Sequence, residues 1–152
     1  MYTLSHSIPV NPPGAEPVLT AGQVWRGLEI KAENAMPFVD GMTQCDVDSR
    51  EGNVLTRTIT FRGTQHREKI TLFAPVKVQF ERLDGTGWID NVISESEGGL
   101  LLTFTFGISF PGIAEGSPEE QAQGDTMRGA YTGAVAATLN RVRQMVRDGE
   151  FA

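Results

Sequence analysis

The sequence predicts an α+β domain in which an antiparallel sheet wraps a long C-terminal helix. Two patterns and one size argument lead there. From about Met42 to Phe110 apolar residues recur with a period of two, and the interruptions are short turn signals. From Ser117 to about Asp148 apolar residues recur at helical spacing. A chain of 152 residues is the size of one domain with one substantial core.

The elements follow in order. Tyr2–Val10 alternates weakly and runs into Asn11-Pro12-Pro13-Gly14, so a strand is followed by a loop. Thr20 with Gln23 three positions on forms a capping box, and Val24, Trp25, Leu28 and Ala32 then lie on one helical stripe. Met36-Pro37-Phe38-Val39 breaks that helix and makes a turn or a short second helix. Strands are expected over Val54–Phe61, Glu68–Phe73, Val76–Arg82 and Trp88–Ser94. Arg62-Gly63-Thr64, Ala74-Pro75 and Asp84-Gly85-Thr86-Gly87 separate them. Leu100, Leu102, Phe104, Phe106, Ile108 and Phe110 alternate with smaller or polar residues in a further strand. Connections this short make the neighbours antiparallel.

Ser117-Pro118-Glu119-Glu120 starts the last helix with a capping serine, proline at the first helical position and glutamates at the positive dipole end. Ending at Gly149, it is roughly 45 Å long at ~1.5 Å per residue, enough to span the domain. Met127, Tyr131, Ala134, Val135, Thr138, Leu139, Val142 and Val146 share one face. Asn140, Arg143, Gln144 and Arg147 are expected on the opposite one. One sheet face must be covered, and this helix is the element long enough to cover it.

Composition narrows the function classes. A formal net charge of −6 disfavours nucleic acid and anionic membranes as partners. No stretch has the apolar length of a membrane span, and Met1–Val10 lacks the form of a signal peptide, so a cytoplasmic location is expected. Cys45 is the single cysteine, read as a buried small hydrophobe and not as a nucleophile, and no disulfide can form within the chain.

Beyond the element order, Thr20-Ala21-Gly22-Gln23-Val24-Trp25-Arg26-Gly27-Leu28 and Pro37-Phe38-Val39 carry a family resemblance. So do Gly87-Trp88-Ile89-Asp90-Asn91-Val92-Ile93-Ser94 and the Leu100–Phe106 strand. They resemble a small family with bacterial members and a fungal member in acetylaranotin biosynthesis clusters. That family sits within the START-like (SRPBCC) superfamily, which includes the birch-pollen allergen. The resemblance covers nearly the whole chain. It implies a helix-grip fold, a curved antiparallel sheet wrapped around the C-terminal helix, with a cavity for a hydrophobic ligand between them. It implies no catalytic residue.

Metal chemistry finds little support, because His6 and His66 are far apart in the chain and no metal-ligand spacing occurs. No cofactor is expected either. Gly85 and Gly87 lead into a strand, not a helix, so they read as a hairpin turn and not as a phosphate loop. His66, beside Arg67, is expected in a hairpin loop. Phe61, Phe80, Phe104, Phe106 and Phe110 share the alternation phase of neighbouring aliphatics. They either fill the core or line a partly open cavity.

Arg57 is the sharpest single signal. With Leu55, Ile59 and Phe61 inward, alternation puts Arg57 inward too, and Glu68 shares the phase of Ile70 and Leu72. A buried guanidinium needs a partner. Either Arg57 pairs with Glu68, or a bulge turns it outward, or it holds the anionic end of a ligand. Tyr131 on the inner helix face offers a second polar anchor, and one of Asp90 and Asn91 must also face inward.

The expected function is binding of a hydrophobic or amphipathic small molecule. Its site would comprise Trp25, Phe38, Arg57, Phe61, Glu68, Phe80, Phe104, Phe106, Met127 and Tyr131. The alternatives are a polyketide-cyclase- or isomerase-like enzyme with Glu68 as base, and a protein-interaction module. Gly129, Gly133 and Ala136 form a small-residue strip on the outer helix face, which a homodimer could use.

Overall fold

The computed structural model describes residues 1–151. Its elements are β1 (Tyr2–Pro9), α1 (Ala21–Glu33), β2 (Met42–Glu51), β3 (Val54–Phe61), β4 (Thr64–Phe73), β5 (Lys77–Arg82), β6 (Gly87–Ser94), β7 (Leu101–Ile108) and α2 (Pro118–Arg147). The strands form one curved antiparallel sheet in the order β1-β7-β6-β5-β4-β3-β2. Strands β2 to β7 are a continuous meander. Strand β1 instead pairs with β7, so consecutive strands β1 and β2 lie at opposite edges. The segment joining them must therefore cross the sheet, and α1 does so against β2, β5 and β6.

Hairpin geometry fixes the register. Phe61 pairs with Thr64, leaving Arg62 and Gly63 as a two-residue turn with φ of 49° and 82°. Both values are positive, as the primed turn that matches strand twist requires. Alternation then sorts the two faces. Leu55, Ile59, Ile70, Leu72, Val78, Phe80, Ile93, Leu102, Phe104 and Phe106 point inward and are buried. The convex face carries hydroxyl pairs such as Ser5–Thr105 at 2.9 Å and Ser49–Thr56 at 2.6 Å.

Helix α1 starts with the expected capping box between Thr20 and Gln23. Helix α2 starts with Ser117 accepting from the Glu120 amide, and Gly149, with φ of 72°, follows its end. It packs on β1, β7 and α1. Two glycines let it come close: a Cβ on Gly124 would collide with the Tyr2 ring, and one on Gly27 with Val142. Neither helix is long and apolar enough to cross a membrane.

Two expectations are corrected. His66 is not in a loop. It sits in β4 opposite Ile59, because the turn is only Arg62-Gly63 and β4 begins at Thr64, four residues before the expected Glu68. Arg143 is not on a solvent face either. It is buried, and its guanidinium donates to the carbonyls of Val10 and Pro17. The segment between β1 and α1 folds over this part of α2, a contact that helical periodicity alone does not contain. The Met36–Val39 segment is a turn, in which the amides of Phe38 and Val39 both donate to the Ala35 carbonyl.

Candidate functional site

The concave face carries a buried polar cluster. The register irregularities of this region lie in β2, between Met42 and Gln44 and between Val47 and Ser49. Strand β3 therefore keeps its alternation and Arg57 stays inward, only 2% exposed. It pairs directly across the ladder with Glu68, and Nε donates to Glu68 Oε1 at 2.9 Å. On its other side Glu68 is in register with Arg82. Arg57 Nη1 also donates to the carbonyls of Lys31 and Ala32, at 2.8 and 2.9 Å. These carbonyls belong to the last turn of α1, whose free acceptors and negative dipole end favour a cation.

Lys31 lies in the same cluster. It is 7% exposed, and its ammonium group donates to Asn91 Oδ1 at 3.0 Å. Its Nζ stands 4.4 Å from the ring centre of Phe104 and 5.4 Å from that of Phe80. Burial, followed by the nearby Arg57 guanidinium, pushes its pKa down to about 7, with Glu68 acting in the opposite sense. Asn91, 0% exposed, is the inward member of the Asp90–Asn91 pair, and its Nδ2 has no partner among the described residues. Asp90 points outward, 3.4 Å from Lys77 Nζ.

Burial of the inward residues falls off along the strands. Leu102, Ile93, Val78 and Ile70, around Asn91 and beyond it, are buried. Toward the opposite end, Phe61, His66, Arg82, Ile89 and Ile108 are only half-buried. Helix α2 contributes Met127 and Tyr131 there, also half-buried, and the Tyr131 ring stacks on Phe106 with centroids 5.3 Å apart. Burial raises the pKa of the Tyr131 hydroxyl, opposed by the positive charges of Arg82 and Arg62.

Of the residues read from the sequence, Phe61, Met127 and Tyr131 thus lie at the half-buried end. Trp25, Phe38, Phe80, Phe104 and Phe106 belong to the core, and Arg57 and Glu68 form its ion pair. Two hollows lie elsewhere. One of about 570 Å³ runs between Pro12, Glu16, Arg143 and Arg147, and one of about 630 Å³ adjoins it at Glu16 and Arg147. Neither is lined by a residue of the predicted site.

Sequence reasoning missed Lys31. The signal was present, because Lys31 follows Leu28 by three positions and Val24 by seven, which places it on the apolar stripe of α1. A lysine there is ordinarily read as a stem reaching solvent. Here the concave sheet closes over it.

A model of the family described as acetylaranotin biosynthesis cluster protein L matches residues 4–149. No curated protein matches the sequence. Among solved structures, the Zhui aromatase/cyclase from Streptomyces superposes with a TM-score of 0.68 at 14% identity, covering 99% of each chain. The StfQ di-domain aromatase/cyclase of the steffimycin biosynthetic pathway gives a TM-score of 0.65 at 13% identity, covering 97% of this chain. Ara h 8.0201 gives 0.56 at 11% identity, over 93% of this chain and 97% of that one. The chain spans 49% of the di-domain protein BexL and 52% of StfQ, about half of each. At these identities the likeness establishes the helix-grip fold.

Proposed function

Since the chain belongs to the acetylaranotin biosynthesis cluster protein L family and has the helix-grip fold, we propose that it binds a hydrophobic or amphipathic small molecule. It would act as a carrier or sequestering protein, with the site between α2 and the concave sheet. The observation that supports this is the decline in burial along the inward face. Phe61, Ile89 and Ile108, on the inward phase of their strands, and Met127 and Tyr131 of α2 are apolar or aromatic and incompletely covered. Burying such surface under a ligand favours binding by ~25 cal/mol per Å².

Phe61, Phe106, Met127 and Tyr131 form the walls of this site. Phe80 and Phe104 form its floor, and Trp25 and Phe38 support its closed side. Arg57 and Glu68 lie behind the floor as an internally neutralised pair, and the Tyr131 hydroxyl is the polar anchor at the mouth.

Titration with anilinonaphthalene sulfonate tests the site. The native protein should enhance the probe's fluorescence saturably, and Ile89→Trp, which fills the proposed space, should weaken binding by about tenfold or more, the loss of roughly one buried side-chain contact area. Equal binding by both proteins, or none by the native one, would rule out this location.

A cyclase- or isomerase-like enzyme using the same cleft is the second reading. A specific observation favours it: a lysine with a pKa of about 7 stands within the cluster that holds Glu68. Groups that exchange protons near neutrality suit acid–base catalysis. Conversion of a bound enolisable ligand, lost in Glu68→Gln with binding retained, would select this reading over the carrier.

A further inference from the structure

We propose that Lys31 and Asn91 form the polar end of the ligand cleft, a site for the hydroxyl oxygen of a phenol or an enol. This deepens the proposed binding function and rests on it. Asn91 is one pleat repeat along β6 from the half-buried Ile89, a separation of about 7 Å, so the pair lies immediately below the incompletely covered apolar wall. Asn91 Nδ2 is a fully buried donor without a partner among the described residues, an arrangement proteins seldom retain unless something occupies it. Lys31 adds the second nitrogen beside it, with its orientation set by the bond to Asn91 Oδ1.

The surrounding charges select the chemistry. The charged groups acting on Lys31 are Arg57, from β3, and Glu68, from β4, which pair with each other at 2.9 Å, and Arg82 of β5 stands in register with Glu68 on its far, half-buried side. Arg57 and Glu68 largely cancel, so a protonated Lys31 leaves one uncompensated positive charge in an apolar setting. An oxyanion would neutralise it, whereas a second cation would not be tolerated. The rings of Phe80 and Phe104 flank Nζ, so the oxygen that reaches it is best carried by a flat, apolar body.

Burial lowers the Lys31 pKa to about 7, so part of the side chain is neutral amine near pH 7, and the ion pair formed with a bound oxyanion restores its affinity for a proton. The ligand O–H bond breaks as a bond forms between that proton and the Nζ lone pair. The product is an ammonium facing a phenolate or enolate, with Asn91 Nδ2 donating a second hydrogen bond to the oxygen. No other reactant is needed. The same residues would bind a methyl ether poorly at this point, because its oxygen carries no proton and its methyl group occupies the donor's place.

The test compares β-naphthol with its methyl ether by direct calorimetric titration of the native protein, Lys31→Met and Asn91→Leu. The native protein should prefer the naphthol by about tenfold, the scale of one charge-assisted hydrogen bond. Both variants should bring that preference close to one while keeping affinity for the ether. Asn91→Leu reads the same ratio should Lys31→Met fail to fold. If the native protein binds both compounds equally, the Lys31–Asn91 site is refuted while the cleft stands. If it binds neither, the cleft itself is refuted, and the site with it.

Discussion

Arg57 Nη1 lies 2.8 Å from the main-chain carbonyl of Lys31, so a strand side chain closes the last turn of a helix that crosses the sheet. The bond ties the end of α1 to the middle of β3. It therefore also determines where the Lys31 side chain begins. Arg57 is in this sense a positioning residue: its contacts are to Glu68 and to α1 carbonyls, and through them it sets the geometry of the Lys31–Asn91 pair.

Removing Arg57 alone should be costly. Arg57→Met leaves the Glu68 carboxylate buried without a partner and two helix-end carbonyls without a donor. A loss of about 3–5 kcal/mol in urea unfolding is expected. Arg57→Met combined with Glu68→Leu should recover more than half of it, because the unpaired charge is then gone as well. A single-variant loss below about 1 kcal/mol would mean that the pair does not support the fold.

Lys31 gives the stability a particular pH dependence. Its ordinary value of 10.5 applies to the unfolded chain and about 7 to the folded one. Between these values the unfolded state holds the extra proton, so stability rises with pH, and below the folded value the full cost of burying the ammonium is present. The slope is at most about 1.4 kcal/mol per pH unit. From about pH 7.5 to about pH 9.5 native stability should therefore gain roughly 2 kcal/mol relative to Lys31→Met. Parallel pH curves for the two proteins would contradict a buried, shifted lysine.

The glycines of the helices separate into two kinds. Gly27→Ala and Gly124→Ala should each destabilise by about 1–3 kcal/mol, because the new methyl group meets Val142 or the Tyr2 ring. At Gly133 a Cβ would meet nothing within 4 Å, so Gly133→Ala should stabilise by about 0.5–1 kcal/mol through helix propensity alone. Thermal melts of the three variants check both signs. A destabilised Gly133→Ala would instead show that another molecule, a second copy included, rests on that face in solution.

Much of the fold was legible because its signals are local. The Thr20–Gln23 box, the Ser117-Pro118 start and the Arg62-Gly63 turn each contain their own chemistry within a few residues. The inward phase of Arg57 and Glu68 followed from strand alternation, and their ion pair is present. The inward phase of Phe80, Phe104 and Phe106 was legible for the same reason. Arg143 was misread, because its partners, the carbonyls of Val10 and Pro17, lie far away in the chain.

Taken by itself, the sequence determined both helices, the strands after Val54 with their apolar sides, and that the last helix lies on the sheet. It did not mark out β2 as a strand or show that α1 covers β2, β5 and β6. Periodicity and capping are short-range properties, so one dimension suffices for them. Only the tertiary structure decided that Lys31 is buried against Asn91, and that α2 leaves one end of the concave face incompletely covered. Both depend on where α1 crosses the sheet, and that placement comes from contacts between residues distant in sequence, whose geometry no local pattern encodes.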